Sequence, residues 1–162
     1  AILARLRAHH IGELVMADRV SASIVIGGAV SRDQYQALCA LIRDEALCTE
    51  WDGDPFSPDA HVEGEPLSLY AHEVSWGSFN ALEQYCYTNG IAYHRWSGSC
   101  PGSFGAERIV FDGKYGPFNY SVDEDDHVVL HEQTIDQLGS IRAIRAYLKP
   151  ATFAVPPLVI AG

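Results

Sequence analysis

Lysine is nearly missing. Lys114 and Lys149 are the only two in 162 residues, and the remaining nine cations are arginines. Against 21 carboxylates this leaves a formal net charge of −10. A surface this acidic repels phosphate backbones and anionic lipid faces, so neither nucleic acid nor a membrane is expected as a partner. Long apolar runs are missing too; none reaches the ~18 residues that a spanning helix needs. No basic segment leads into an apolar core at the start of the chain, so no secretory signal is expected. No two cysteines stand as C-x-x-C: Cys39, Cys48, Cys86 and Cys100 are scattered. Cys39 and Cys86 occupy apolar helical positions, where buried free thiols are common. The expected state is four reduced thiols in a cytoplasmic protein, the alternative being two disulfides in an extracellular one.

Methionine occurs once, at Met16, and Met16-Ala-Asp-Arg-Val-Ser-Ala-Ser reads as a natural polar start before a strand. Residues 1–15 read either as a non-native or flexible extension, or as an N-terminal helix with Ile2, Leu6 and Leu14 on one side. His9-His10 is too short a run to hold a metal and reads as solvent-facing. Residues 16–162 read as a single α+β domain. A chain of this length buries roughly 70% of its unfolded surface and needs no staple, and 48% hydrophobic residues fit a globular protein.

Ser23 to Val30 is a β-branched apolar run, read as a buried strand. Ser31 with Gln34 forms a capping box that opens a helix to about Leu47, with Tyr35, Leu38, Cys39 and Ile42 as its buried stripe. Residues 49–66 form a long loop with three prolines. Leu67 to Ser75 reads as a second strand, and Ser78 to Thr88 as a second helix closed by Asn89-Gly90. Ile91 to Ser97 and Ala106 to Asp112 read as further strands around the glycine-rich loop Gly98–Gly105. Phe118–Val122 and His127–Leu130 read as a hairpin about the acidic turn Asp123–Asp126. Thr134 and Gln137 form a second capping box, opening one helix with Ile135, Leu138, Ile141, Ile144 and Leu148 on one face, and Pro150 closes it. The apolar tail Phe153–Ile160 is expected to pack on the domain or on a neighbouring copy, the latter making a homodimer.

Val30-Ser31-x-x-x-Tyr35-x-Ala37-Leu38 matches Val74-Ser75-x-x-x-Phe79-x-Ala81-Leu82 at an offset of 44. The match reads as a strand–helix pseudo-repeat, the alternative being chance similarity of two such junctions. The order β-α-β-α-β-β-β-β-α favours an α+β fold: a mixed, mostly antiparallel sheet with helices on one face. It resembles a ferredoxin-like arrangement, and architecture alone does not fix function.

Charge is segregated along the chain. Between Arg43 and Arg95 there is no cation, while ten carboxylates occur, eight of them before Pro66. Trp51, Phe56 and Val62 interleave with them. Such a loop suits docking on a basic partner surface, since opposite potentials speed encounter; a loop solvated only for solubility is the alternative. The binding candidates are therefore Trp51, Asp52, Asp54, Phe56 and Asp59, joined by His72 and Glu73 at the end of a strand. Asp52-Gly-Asp54 and Asp59 lack the rest of a calcium loop, and no metal or cofactor is expected. Gly98-Ser-Cys100-Pro-Gly102 resembles the outline of a nucleophile elbow, but a strand follows it where a helix should. Cys100 with His94 or His131 as base, oriented by Asp112 or Asp126, is the catalytic candidate set. His127 and His131 share a face if their segment is a strand. The favoured reading is a non-enzymatic interaction or regulatory module using the acidic loop. The alternative is a small enzyme or ligand-binding domain with its site near Gly98–Gly105.

Overall fold

The computed structural model describes residues 18–162; the readings of residues 1–15 and of Met16 as a start lie outside them. A twelve-residue strand, β1 (Arg19–Val30), organises the sheet. Its side chains alternate: Val20, Ala22, Ile24 and Ile26 are buried, while Ser21, Ser23 and Val25 are only partly covered. With a side-chain period of two, this places the branched residues on one face and the serines on the other.

After Val30 the chain turns into α1 (Arg32–Asp44). Ser31 accepts from the Gln34 N–H, and the Gln34 side chain accepts from the Ser31 N–H, so the expected capping box is present. Leu38, Cys39 and Ile42 are buried, and Tyr35 is partly so. The remaining strands and helices are β2 (Leu67–Ser75), α2 (Asn80–Asn89), β3 (Ala92–Ser97), β4 (Glu107–Phe111), β5 (Phe118–Ser121), α3 (Glu132–Leu138), α4 (Ile141–Leu148) and β6 (Leu158–Ile160).

The sheet runs β2-β1-β3-β4-β5 with every ladder antiparallel. β6 pairs in parallel with Gly28–Val30 at the far end of β1. The chain is thus a mixed α+β fold on a mostly antiparallel sheet, as the order of elements predicts. The ferredoxin-like arrangement is not shown: α1 joins two antiparallel neighbours, and only β2-α2-β3 has another strand, β1, set between its ends.

The pseudo-repeat is not shown either, because its two halves do different work. Ser31 is itself the helix cap, whereas Ser75 is the last residue of β2. Trp76 and Gly77 then take left-handed backbone (φ 57° and 65°), which delays the second helix, and Phe79 becomes its cap. Glu83 reaches back to accept from the Phe79 N–H at 2.9 Å. Gly90, in left-handed geometry, ends α2 as expected.

The core lies between α1, α2 and one face of the sheet. Phe79 at the cap of α2, with Leu82 and Cys86 within it, meets Ala22, Ile24, Ile26, Leu69 and Tyr93. Burial pushes the Cys86 thiol up to about 12, which leaves it protonated and inert. The four cysteines are free, as expected. Arg95, only 3% exposed, enters this side through Glu83 at 3.0 Å, Glu107 at 2.5 Å and the Ser97 hydroxyl at 2.9 Å. Two carboxylates offset a charge that burial alone would make very costly, although Arg95 Nε meets Glu83 as an ion pair without an aligned hydrogen bond.

Helices do not stay on one face. On the opposite side Val110 and Tyr120 pack with Ala151, Val128 and Phe153, and the Tyr120 hydroxyl donates to the Tyr147 carbonyl of α4. Two further expectations fail here. His127–Leu130 is not a strand; the hairpin shrinks to one bridge, Val122 with Val128, so His127 and His131 share no strand face. The helix expected from Thr134 is two helices. α3 already begins at Glu132, which leaves Thr134 inside it. Gly139 in left-handed geometry ends it, and Ser140 caps α4. The break turns Ile135 and Ile141 outward, at 42% and 66% exposure.

The apolar tail folds back on its own chain. Leu158 is fully buried, Gly28 donates to the Pro157 carbonyl, and His61 reaches the Leu158 carbonyl at 2.8 Å. The approach is close enough that a Cβ on Gly27 would lie 1.8 Å from the Pro156 carbonyl oxygen. Gly27→Ala is therefore expected to lower stability by about 1–3 kcal/mol, as overpacked sites do, in urea unfolding followed by circular dichroism. Wild-type stability in the variant would contradict this docking of the tail.

Candidate functional site

The second face of β1, β2 and β3 carries a row of polar and aromatic side chains. Register sets Ser23 beside Tyr70 on one flank and Trp96 on the other. Trp96 in turn faces Arg108, and Arg108 faces Tyr120. Helices α1 and α2 cannot cover this side; the long loop and the acidic turn cover it instead.

The long loop is fastened at several points. Cys48 exchanges two backbone hydrogen bonds with Tyr70 on the outer edge of β2. Phe56 is buried, and the Tyr35 hydroxyl donates to the Pro58 carbonyl. Trp51 is thereby laid over the sheet, its ring 4.9 Å from those of Tyr70 and His72 and edge-on to Trp96 at 6.5 Å. It remains 41% exposed.

The acidic turn Asp123–Asp126 closes the other side. Asp123 Oδ1 accepts from the backbone N–H of Asp125 and of His127, which makes the turn tight. Glu124 accepts from the backbone N–H and the hydroxyl of Ser99. Asp126 accepts from Arg108 Nε at 2.8 Å, and its other oxygen lies 3.1 Å from His94 Nε2. The His94 contact is one of proximity, since Nε2 has no aligned hydrogen-bond partner. Arg108 continues to the Ala151 carbonyl, tying the turn to the C-terminal segment.

Between loop and turn lies a hollow of about 440 Å³ lined by Ser21, Ser23, Trp51, Tyr70, His72, Trp96 and the turn carboxylates Glu124, Asp125 and Asp126. On its floor the Ser21 hydroxyl lies 2.6 Å from His72 Nδ1, and His72 Nε2 lies 3.3 Å from Asp52 Oδ1. Asp52 and Asp126, on opposite flanks, both hold left-handed backbone (φ 55° and 63°). Outside glycine that geometry is uncommon, and aspartate is among the residues that tolerate it.

Of the residues expected to bind, Trp51 and His72 line the hollow, and Asp52 lies behind His72, outside its lining. Asp54 and Asp59 are exposed, Phe56 is a core residue, and Glu73 is exposed at a kink where its carbonyl accepts from Arg19; the hollow is built without these four. The catalytic set does not assemble. Cys100 closes a tight turn with Phe104, His131 caps α3, and no side-chain hydrogen bond joins Cys100 to a histidine among the described residues. His94 does meet Asp126, one of the two aspartates expected to orient it. Sequence reasoning missed Tyr70, Trp96, Ser21, Ser23 and the role of Glu124–Asp126. The signal was alternation: Ser21-x-Ser23, Tyr70-x-His72 and His94-x-Trp96 each place polar or aromatic residues on one face at period two.

A second hollow of about 540 Å³ lies at the β4–β5 end, lined by Val110, Phe118, Tyr115, Phe153 and Lys149 among others. It is mostly apolar, and one oxygen of its Asp112 already accepts two backbone N–H groups. Of these two hollows, the first is the one that brings several carboxylates, a histidine and serine hydroxyls together.

The chain matches no protein-family model, no curated protein and no solved structure. No described helix is long and apolar enough to cross a membrane. The site must therefore be read from its own chemistry.

Burial pushes the Asp126 carboxyl up, but His94 and Arg108 outweigh it and hold the group below the usual aspartate range. A lowered folded value gives stability that is full above the unfolded value and is lost as pH falls through the folded one. Asp126→Asn is expected to destabilise the protein by about 1–3 kcal/mol near neutral pH, with the deficit shrinking below about pH 4. Urea unfolding across that range is the check, and a deficit independent of pH would contradict the pairing.

Proposed function

We propose that this chain is a protein-interaction module that captures a cationic group of a basic partner in the hollow between Trp51 and the Asp123–Asp126 turn. The observation that carries the reading is convergence: the rings of Trp51, Tyr70 and Trp96 and the carboxylates of Glu124, Asp125 and Asp126 surround one recess. Aromatic faces attract cations through their quadrupole, by about 0.5–2 kcal/mol each depending on desolvation. Carboxylates at the rim add Coulomb attraction. The net charge of −10 supplies a long-range field of the sign that draws a basic partner in. Only the first part of the acidic loop forms the contact; the rest maintains the field.

A labelled, unstructured peptide rich in arginine and lysine is expected to bind, read by fluorescence anisotropy, and its acidic counterpart is not. Trp51→Ala and Asp125→Asn, both at exposed positions, should each weaken binding at least about tenfold, or about 1.4 kcal/mol. Added salt should weaken it further. Undiminished binding by both variants would overturn the reading.

A second reading has its own observation. With the proton on His72 Nε2 donated to Asp52, Nδ1 is free to accept the Ser21 proton, so Ser21–His72–Asp52 forms a relay that can activate a hydroxyl nucleophile. On this reading the protein labels at Ser21 with a fluorophosphonate, and His72→Ala abolishes the label. Absence of labelling on the folded protein removes it.

A further inference from the structure

We infer that the cation held in this hollow is the guanidinium of an arginine side chain, an inference that rests on the cation-binding reading above. Three features separate arginine from the other cations a protein can present.

The first is the shape of the aromatic wall. A quaternary or methylated ammonium has few or no N–H donors and gains by being ringed with aromatic faces. Here the rings do not form a box. Trp51 lies tilted against Tyr70 and His72 with centroids 4.9 Å apart, and it meets Trp96 at 88°. Rings this close cover one another, so the wall is an open corner. A corner suits a flat ion that stacks on one ring and turns its edge outward, which is the guanidinium geometry.

The second is the inventory of acceptors. Only Oε2 of Glu124 is left over, since Oε1 is taken by Ser99, and Asp126 is taken by Arg108 and His94. Among the described residues lining the hollow, the Asp125 carboxylate and the Ser23 and Tyr70 hydroxyls have no hydrogen-bond partner, and of these only Asp125 carries charge. Two free oxygens on one planar carboxylate match the two parallel N–H groups of a guanidinium edge. A trimethylated ammonium would leave them unmet, and a lysine ammonium can meet them only as a strongly hydrated point charge.

The third is that the turn already holds a guanidinium on its other side. Arg108 addresses Asp126 through Nε to the carboxylate and through its terminal nitrogen to the carbonyl. The same backbone turn thus presents Asp126 to an internal arginine and Asp125 to an external one.

The test titrates the full chain with three blocked peptides that differ only in a central residue: arginine, its neutral isostere citrulline, or trimethyl-lysine. Amide and indole chemical shifts are followed to millimolar peptide. The expected result is saturable binding of the arginine peptide, at least about tenfold tighter than either other peptide, and lost in Asp125→Asn. Trimethyl-lysine binding as tightly as arginine, or tighter, would overturn the inference while leaving the cation reading standing. Equal binding of citrulline and arginine, or binding of none of the three, would overturn both.

Discussion

Everything in this molecule depends on the alternation of side chains along β1. Ala22, Ile24 and Ile26 are fully buried on one side, and Ser21 and Ser23 are partly covered on the other. The first set gives α1 and α2 a surface to cover. The second leaves a face that no helix can cover, because small hydroxyls offer little apolar area to bury. β1 also pairs with three strands, β2, β3 and β6. A slip of one residue in its register would exchange the two faces and lose core and site together.

On the helical side, one ion-pair group joins elements that sequence keeps apart. Glu83 both caps α2 and meets Arg95 of β3, which also reaches Glu107 of β4. On the other side Arg108 does the corresponding work, holding the acidic turn to β4 and to the segment after α4. Each arginine is spent on the fold. The hollow between Trp51 and Asp125 is left with carboxylates and aromatic faces, a composition that repels anions and favours cations. Charge segregation along the chain thus has a spatial outcome: the structural cations lie inward and the uncommitted acids face out.

Much of the fold was legible in the sequence, and the rest was not for physical reasons. The bounds of β2 and the capping box at Ser31 follow from local chemistry, since an apolar–polar alternation after Pro66 and a serine–glutamine pair act over a few residues. The second Val-Ser junction misled because two residues after it, Trp76 and Gly77, adopt left-handed backbone and push the helix entry to Phe79. The Thr134–Gln137 pair misled because the helix had already begun at Glu132, which left threonine no free N–H group to cap. Trp51, Asp52 and His72 were found as candidates, but Trp96 and Asp125 were not. They reach the hollow only through the β1–β3 register and the tight 123–127 turn, neither of which a linear pattern displays.

The most direct test of the account is whether Trp51 lies on the sheet in solution. Nuclear Overhauser contacts between ring protons report this without a ligand. The account predicts cross-peaks from the Trp51 indole to the rings of Tyr70 and Trp96, with Trp76 contacting Phe104 instead. A Trp51 indole free of contacts to both Tyr70 and Trp96 would mean that the loop does not wall the hollow, and the site described above would not exist.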